Sequence, residues 1–253
     1  GCFLVAVGMM SVSGLAATMD KSVASSSSDV YVVPFSHLDL FWAGTREECL
    51  SRGNRITSKA VQIALQHPEF RFLLEDDVFV ENYRKTRQGT PEFETFRRLV
   101  KEGRIEIAPK WAGIYQNLPR GEALVRNHLY GKRYAREVFG VDPQVSHLGD
   151  LPGYTSQYPQ ILVKSRIPFM VMTRMGPPDC SLFRWRSPDG SSALVWYSLK
   201  GYGWGIGLGL HEDMDSNRVS RVVRDLEQVR ATTKGPIYMG WGTDLWAPSA
   251  KLV

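Results

Sequence analysis

The fold is decided by the segment VYVVPFSHLD, residues 30–39. Its first part is a mostly apolar run with a polar end, which predicts a buried strand over Val30–Ser36. Similar short runs predict strands at 70–75, 104–109, 144–150, 168–174 and 236–240, and a hairpin at 184–198. Longer stretches with helical spacing predict helices at 54–66, 76–87, 91–102, 121–139, 155–165 and 217–232. This alternation predicts an α/β fold with a parallel sheet, open or closed into a barrel.

The composition is that of an ordinary globular protein. The 253 residues are 43% hydrophobic and 23% charged, which excludes a disordered tail, a collagen-like rod and a coiled coil. The net charge is +5, but the basic residues are scattered, so no nucleic-acid partner is expected. Three cysteines, Cys2, Cys49 and Cys180, are too few for a disulfide scaffold. Buried free thiols at Cys49 and Cys180 are favoured over a bridge between them.

The start of the chain differs from the rest. Residues 2–17 are uncharged, mostly apolar and end in small residues, like a secretory signal peptide that lacks its basic start. At about 16 residues the stretch is marginal for crossing a bilayer, so no stable membrane span is expected. We therefore interpret residues 1–19 as a signal peptide remnant, 20–29 as a serine-rich linker and 30–253 as the folded domain. We expect an exported protein, whether secreted, periplasmic or at the cell surface.

Acidic or metal-binding side chains follow three of the predicted strands: His37 with Asp39, then Asp150, then Asp244. Sites in parallel α/β folds lie at the carboxyl ends of strands, so these groups should face one rim. His37 and Asp39 face the same way in an extended chain, and their donor atoms suit Zn²⁺. Each group also has an ordinary explanation. Asp39 and Asp150 would then be caps, Asp244 a turn residue and His37 a hydrogen-bonded core residue.

Five segments together are more specific than any of these residues alone: PFSHLDLFWAGTREE, WAGIYQNLPRGEALVRNHLYGKRY, GDLPGYTSQYPQILVKSRIPFMVMTR, FRWRSPDGSSALVWY and GTDLWAPS. Their order and spacing resemble the N-terminal catalytic domain of glycoside hydrolase family 38, the retaining α-mannosidases. The resemblance covers nearly all of residues 30–248. It implies a seven-stranded β/α barrel with parallel strands, here incomplete at its C-terminal end. It also implies hydrolysis of α-mannosidic bonds in mannose-containing oligosaccharides or glycans.

The resemblance also implies roles for individual residues. His37, Asp39 and Asp150 match the family's Zn²⁺ ligands, and the zinc would bind hydroxyls of the sugar. Asp150 also matches the nucleophile and Asp244 the general acid/base of a double-displacement reaction, whose two carboxyls should be about 5–5.5 Å apart. Trp42 matches the aromatic residue under the sugar, although a buried core tryptophan is equally ordinary.

Arg174 lies where the family often has an arginine near the sugar. Trp42 and Arg174 are therefore the predicted substrate-binding residues.

The sequence departs from the family pattern in two places. Pro152 replaces the usual aromatic residue after the nucleophile, so the pocket wall should differ. The family's second zinc histidine lies beyond Val253, and we interpret His128 as a surface helix residue instead. We therefore expect a fragment of a longer enzyme, inactive by itself.

Two alternatives to a mannosidase remain open. A carbohydrate-binding relative that has lost catalysis would account for the substitution at Pro152. A metal-dependent carbohydrate deacetylase on a similar barrel would need a second histidine at helical spacing after the first, and the sequence has none near His37.

Overall fold

A computed structural model describes residues 29–233 and 235–252. The predicted signal peptide at 1–19, and the predicted linker except for its last residue, lie outside the described residues. The strands are β1 (Val30–Ser36), β2 (Phe72–Leu74), β3 (Ile105–Ile107), β4 (Val145–Leu148), β5 (Phe169–Met172), β6 (Leu182–Arg186), β7 (Ser192–Tyr197) and β8 (Ile237–Trp241). The helices are α1 (Arg46–Gln66), α2 (Asp77–Arg87), α3 (Pro91–Lys101), α4 (Gly121–Tyr134), α5 (Tyr158–Lys164), α6 (Trp204–Gly207) and α7 (Ser216–Thr232).

The strands form two sheets. The first has the order β3-β2-β1-β8 and is entirely parallel, with Phe35 opposite Leu73 and Val33 opposite Gly240. The second has the order β4-β5-β7-β6, in which β4, β5 and β7 are parallel. Strand β6 is an antiparallel edge strand. The α/β class and the parallel pairing are therefore confirmed.

The seven-stranded barrel is not what the described residues form. They contain eight strands in two four-stranded sheets, without pairing between β3 and β4 or between β7 and β8. The eighth strand is β6, which turns back on β7 through the predicted hairpin turn at Gly190, where φ is +88°. Glycine adopts that backbone conformation without strain.

The two sheets share one interior. A buried cluster joins Phe35 and Leu73 of the first sheet to Val145, Val171 and Leu194 of the second. Helices α1, α2 and α3 form a second cluster with the side chains of β2 and β3. Helix α5 and the second sheet form a third. Within the described parts of the chain, no helix is both long enough and apolar enough to span a bilayer.

Helix α1 begins eight residues earlier than the predicted start at 54, at Arg46. Thr45 explains the difference, because its hydroxyl accepts from the amide of Glu48 at 3.3 Å. The Glu48 carboxylate accepts from the amide of Thr45 at 2.7 Å, which completes a capping box. The two free cysteines of the described residues, Cys49 and Cys180, are both buried, as predicted.

The predicted helix at 121–139 is α4 followed by a π-helical turn, Ala135–Phe139. Gly140 ends it in the left-handed conformation, as expected for a glycine at a helix C-terminus. The prediction that His128 lies on the surface of this helix is wrong, because its side chain is fully buried. Its Nδ1 lies 2.7 Å from the Pro109 carbonyl and its Nε2 lies 2.8 Å from the Tyr158 hydroxyl. The hydrophobic pattern placed the helix correctly but assigned this polar residue to the wrong face.

Candidate active site

His37 and Asp244, predicted at the ends of two different strands, are neighbours. The His37 amide donates to the Thr243 carbonyl at 3.1 Å, and the Leu245 amide donates to the His37 carbonyl at 2.9 Å. These bonds form an isolated parallel bridge between His37 and Asp244 beyond the ends of β1 and β8. The predicted convergence at a common rim therefore holds for this pair.

The imidazole of His37 lies between two carboxylates. Its Nδ1 is 2.7 Å from Oε2 of Glu75, and its Nε2 is 3.3 Å from Oδ2 of Asp39. Burial by itself lowers the pKa of His37, but the charges and hydrogen bonds of Glu75 and Asp39 raise it to about 11. A metal ion that bound Nε2 would therefore displace a proton.

Glu75, which directly follows β2, is a residue of this site that the sequence analysis missed. Its Oε1 is 2.5 Å from Nδ1 of His147, a residue of β4, and Nε2 of His147 is 2.7 Å from the hydroxyl of Tyr238. Burial by itself raises the pKa of Glu75, but the charges of His37 and His147 outweigh it and hold that pKa well below its ordinary value. The available signal was an acidic residue directly after a short apolar strand, the same pattern that identified Asp150.

Asp150 follows β4 and forms an ion pair with Arg174, which follows β5. The residue before it, Gly149, is in tight contact with the site. A Cβ at Gly149 would lie 2.7 Å from Oε1 of Glu75 and 2.9 Å from Nδ1 of His37. The main chain that carries Asp150 therefore packs directly on the His37–Glu75 pair, and only glycine fits there.

Tyr202 connects the remaining polar groups and was also missed by the sequence analysis. Its hydroxyl donates to Oδ1 of Asp244 at 2.9 Å, and the Arg174 guanidinium lies 5.5 Å from its ring centre. The His37 ring centre is 5.6 Å from that of Tyr202. Burial and the hydrogen bond to Asp244 raise the pKa of Tyr202, which keeps the hydroxyl protonated as a donor. Around this one ring the structure brings together His37, Asp244 and the Asp150–Arg174 pair.

Trp42 lies in the loop between β1 and α1, and 56% of it is exposed. It is therefore not a core residue. The main-chain carbonyl of Trp42 accepts hydrogen bonds from the Cys49 thiol and the Arg52 guanidinium. Its neighbours Phe41 and Ala43 have positive φ values, 66° and 53°. Such backbone conformations are costly for residues with a Cβ and often occur at binding loops.

The residues can be tested against the predicted Zn²⁺ ion by their donor chemistry. His37 presents Nε2 towards Asp39, and its other nitrogen is held by a carboxylate, as is usual for metal-binding histidines. This pair suits two positions of a zinc ion's coordination shell. Across residues 29–233 and 235–252, no three His, Cys, Asp or Glu side chains already form a metal cluster, and Asp150 is paired with Arg174. The donor types fit the ion, and Asp150 would have to supply the third ligand.

The chain resembles known proteins in both sequence and structure. The model of the glycosyl hydrolases family 38 N-terminal domain matches residues 27–252. Alpha-mannosidase G of Dictyostelium discoideum is 28% identical over 179 residues, 68% of this chain and 16% of the relative. Human alpha-mannosidase 2C1 is 25% identical over 177 residues, 67% of this chain and 17% of the relative. This chain therefore spans about a sixth of the length of these curated relatives.

The fold also has a close solved counterpart. A crystal structure of an alpha-mannosidase from Enterococcus faecalis V583 superposes with a TM-score of 0.79 and 22% identity. The match covers 88% of this chain and 26% of that one. At this level of identity the likeness concerns the fold.

Proposed function

Because the chain belongs to glycosyl hydrolase family 38, we propose that it carries the nucleophile and the general acid/base of a retaining, zinc-assisted α-mannosidase. The observation that carries the proposal is the meeting of three strand ends around Tyr202. His37 and Asp244 form a backbone bridge there, and Asp150 reaches the same place through Arg174. A pair of carboxylates at one rim is what glycoside hydrolysis requires.

In this proposal Asp150 is the nucleophile. Its carboxylate attacks the anomeric carbon as the bond to the leaving oxygen breaks, which gives a covalent glycosyl-enzyme. The ion pair with Arg174 supports this role because it fixes the direction of the carboxylate. The attack requires that one oxygen of Asp150 be free of the arginine, and Nε of Arg174 contacts Oδ1.

Asp244 is the general acid/base. It protonates the leaving oxygen in the first step and takes a proton from the water that releases mannose in the second. Tyr202 donates to Oδ1 of Asp244, which supports a fixed orientation with Oδ2 available for the proton transfer. The same tyrosine contacts Arg174, so both catalytic carboxyls are oriented from one ring.

His37, Asp39 and Asp150 would hold the Zn²⁺ ion. When bound there, the ion would polarise hydroxyls of the sugar and favour a distorted ring. The exposed ring of Trp42 would provide the stacking surface for the sugar. The substrate class that follows is an α-mannoside within an oligosaccharide or glycan.

The experiment is hydrolysis of an aryl α-mannoside by the full-length protein. Activity should disappear with a chelator and return with zinc. The variant Asp150→Asn should lower kcat by at least about a thousandfold, because it removes the nucleophile. Asp189→Asn, in the distant hairpin turn between β6 and β7, is the matched control and should retain activity. Hydrolysis that survives in Asp150→Asn would overturn the assignment of the nucleophile, and mannoside binding without any hydrolysis would favour a carbohydrate-binding relative.

A further inference from the structure

Glu75 is a buried carboxylate that uses both of its oxygens on two histidines. Oε2 is 2.7 Å from Nδ1 of His37 and Oε1 is 2.5 Å from Nδ1 of His147. An ionised carboxylate only accepts hydrogen bonds, so both histidines must carry the proton on Nδ1. Nε2 of His147 lies 2.7 Å from the Tyr238 hydroxyl, so both ring nitrogens of His147 are hydrogen-bonded. For His37, Nε2 is then the nitrogen left to face Asp39.

The second observation concerns the strands that Glu75 joins. His37 follows β1 in the first sheet, whereas His147 is part of β4 in the second. The main chain at Gly149 approaches the same carboxylate so closely that a Cβ would lie 2.7 Å from Oε1. Asp150 is the next residue. One carboxylate is therefore in contact with the segments that carry two of the proposed metal ligands.

We propose that Glu75 is a positioning residue for the metal site: it selects the tautomer in which Nε2 of His37 binds the ion and fixes the β4 end that carries Asp150. The inference rests on the proposed function, since it concerns the same zinc ion. Glutamine cannot replace Glu75 here, because a neutral amide accepts from only one of the two histidines through its oxygen and presents donors to the other.

Zinc affinity measures this role directly, without any turnover. The full-length protein, stripped of metal, is titrated with Zn²⁺ in competition with a chromophoric chelator. In a separate sample Co²⁺ is added, and its visible absorption spectrum is recorded. Glu75→Gln should bind zinc about 10- to 100-fold more weakly, as for other residues that orient metal ligands. Its Co²⁺ spectrum should also change, because the direction of the His37 ring is no longer fixed. An unchanged affinity and spectrum would overturn the inference.

Two further variants keep the test decisive. Glu75→Asp retains the charge but is one methylene shorter and cannot reach both histidines. It should lose zinc affinity at least about fivefold, and wild-type affinity would contradict the proposal even if Glu75→Gln failed to fold. His128→Gln replaces an equally buried histidine outside this chain of contacts, so its stability should fall while its zinc affinity stays. If His128→Gln lost as much zinc affinity as the Glu75 variants, the inference would also be overturned, because general destabilisation would then explain the weaker binding in all of them.

The outcomes separate this inference from the proposed function. A wild-type chain that binds no zinc would refute the metal-assisted function and the role of Glu75 together. A wild-type chain that binds zinc as tightly as Glu75→Gln does would refute only the role of Glu75.

Discussion

Gly149 has no room for a side chain, because its backbone faces the Glu75 carboxylate and the His37 ring. We expect Gly149→Ala to lower the free energy of unfolding by about 1–3 kcal/mol, the usual effect of an extra methyl group in a packed interior. Urea unfolding measures the change. Gly121→Ala is the control, since a Cβ there meets no atom within 4 Å. Equal stability of the two variants would contradict the close packing of Gly149, because it would show that the end of β4 can move away from Glu75 and His37.

At this scale the sequence pointed to residues that lie within three positions of a strand end: His37, Asp39, Asp150 and Asp244. Their types and spacing left an ordinary explanation open for each of them, and the resemblance to the family implied their catalytic and metal-binding roles, which stay predictions. Glu75 had the signal of an acidic residue at a strand end, but its role, like those of His147 and Tyr202, depends on which strands lie side by side. That information is absent from local sequence, since Glu75 and His147 are 72 residues apart in the chain.

Helix α1 illustrates how a single cap places an element. Its N-cap, Thr45, ends the loop that carries Asp39 and Trp42. We expect Thr45→Ala to lower the free energy of unfolding by about 1 kcal/mol, since the Glu48 amide loses its acceptor. Hydrogen exchange of that amide should become faster in Thr45→Ala and stay slow in Thr45→Ser, which keeps the hydroxyl. Identical exchange in both variants would contradict the capping role.

The elements themselves were largely predictable. The strand Val30–Ser36 and the helices α2 and α3 lie where apolar spacing and proline placed them. The start of α1 was wrong because its first two turns have a weak apolar pattern, and only the capping box marks the boundary. The π-helical turn after α4 has no simple signature in the sequence.

For the molecule as a whole, His128 makes the stability depend on pH. Burial lowers its folded-state pKa to about 4, although the hydrogen bond to the Pro109 carbonyl opposes that effect. The unfolded chain, with an ordinary histidine pKa near 6.5, therefore binds the proton at higher pH than the folded chain. Its contribution is fully present above about pH 6.5 and is lost as the pH falls towards 4, which amounts to about 3 kcal/mol.

The measurement compares the pH dependence of the unfolding free energy in wild type and in His128→Gln. Other carboxylates titrate in both proteins, so the difference between the two curves isolates the histidine. We expect that difference to shrink steadily between pH 6.5 and pH 4. Parallel curves over this range would mean that burial does not lower the pKa of His128 in the folded protein.

The class of the fold was predictable from the alternation of strands and helices, because parallel pairing demands crossover connections. The division into two sheets was not. It depends on strands as short as the three residues of β3, whose pairing is decided by the packing of their neighbours. The residues alone predicted the eighth strand, as one arm of the hairpin at 184–198, and the antiparallel pairing of β6 with β7 confirms that hairpin.

The bridge formed by Glu75 also bears on the order in which the protein assembles. Its two histidine partners lie 38 residues before it and 72 residues after it. A chain leaving the ribosome can complete the first contact early, but the second must wait until β4 has emerged and the two sheets have met. Closing such long loops is slow compared with forming helices. We therefore expect the proposed metal site to be completed late in folding, after the two sheets have met.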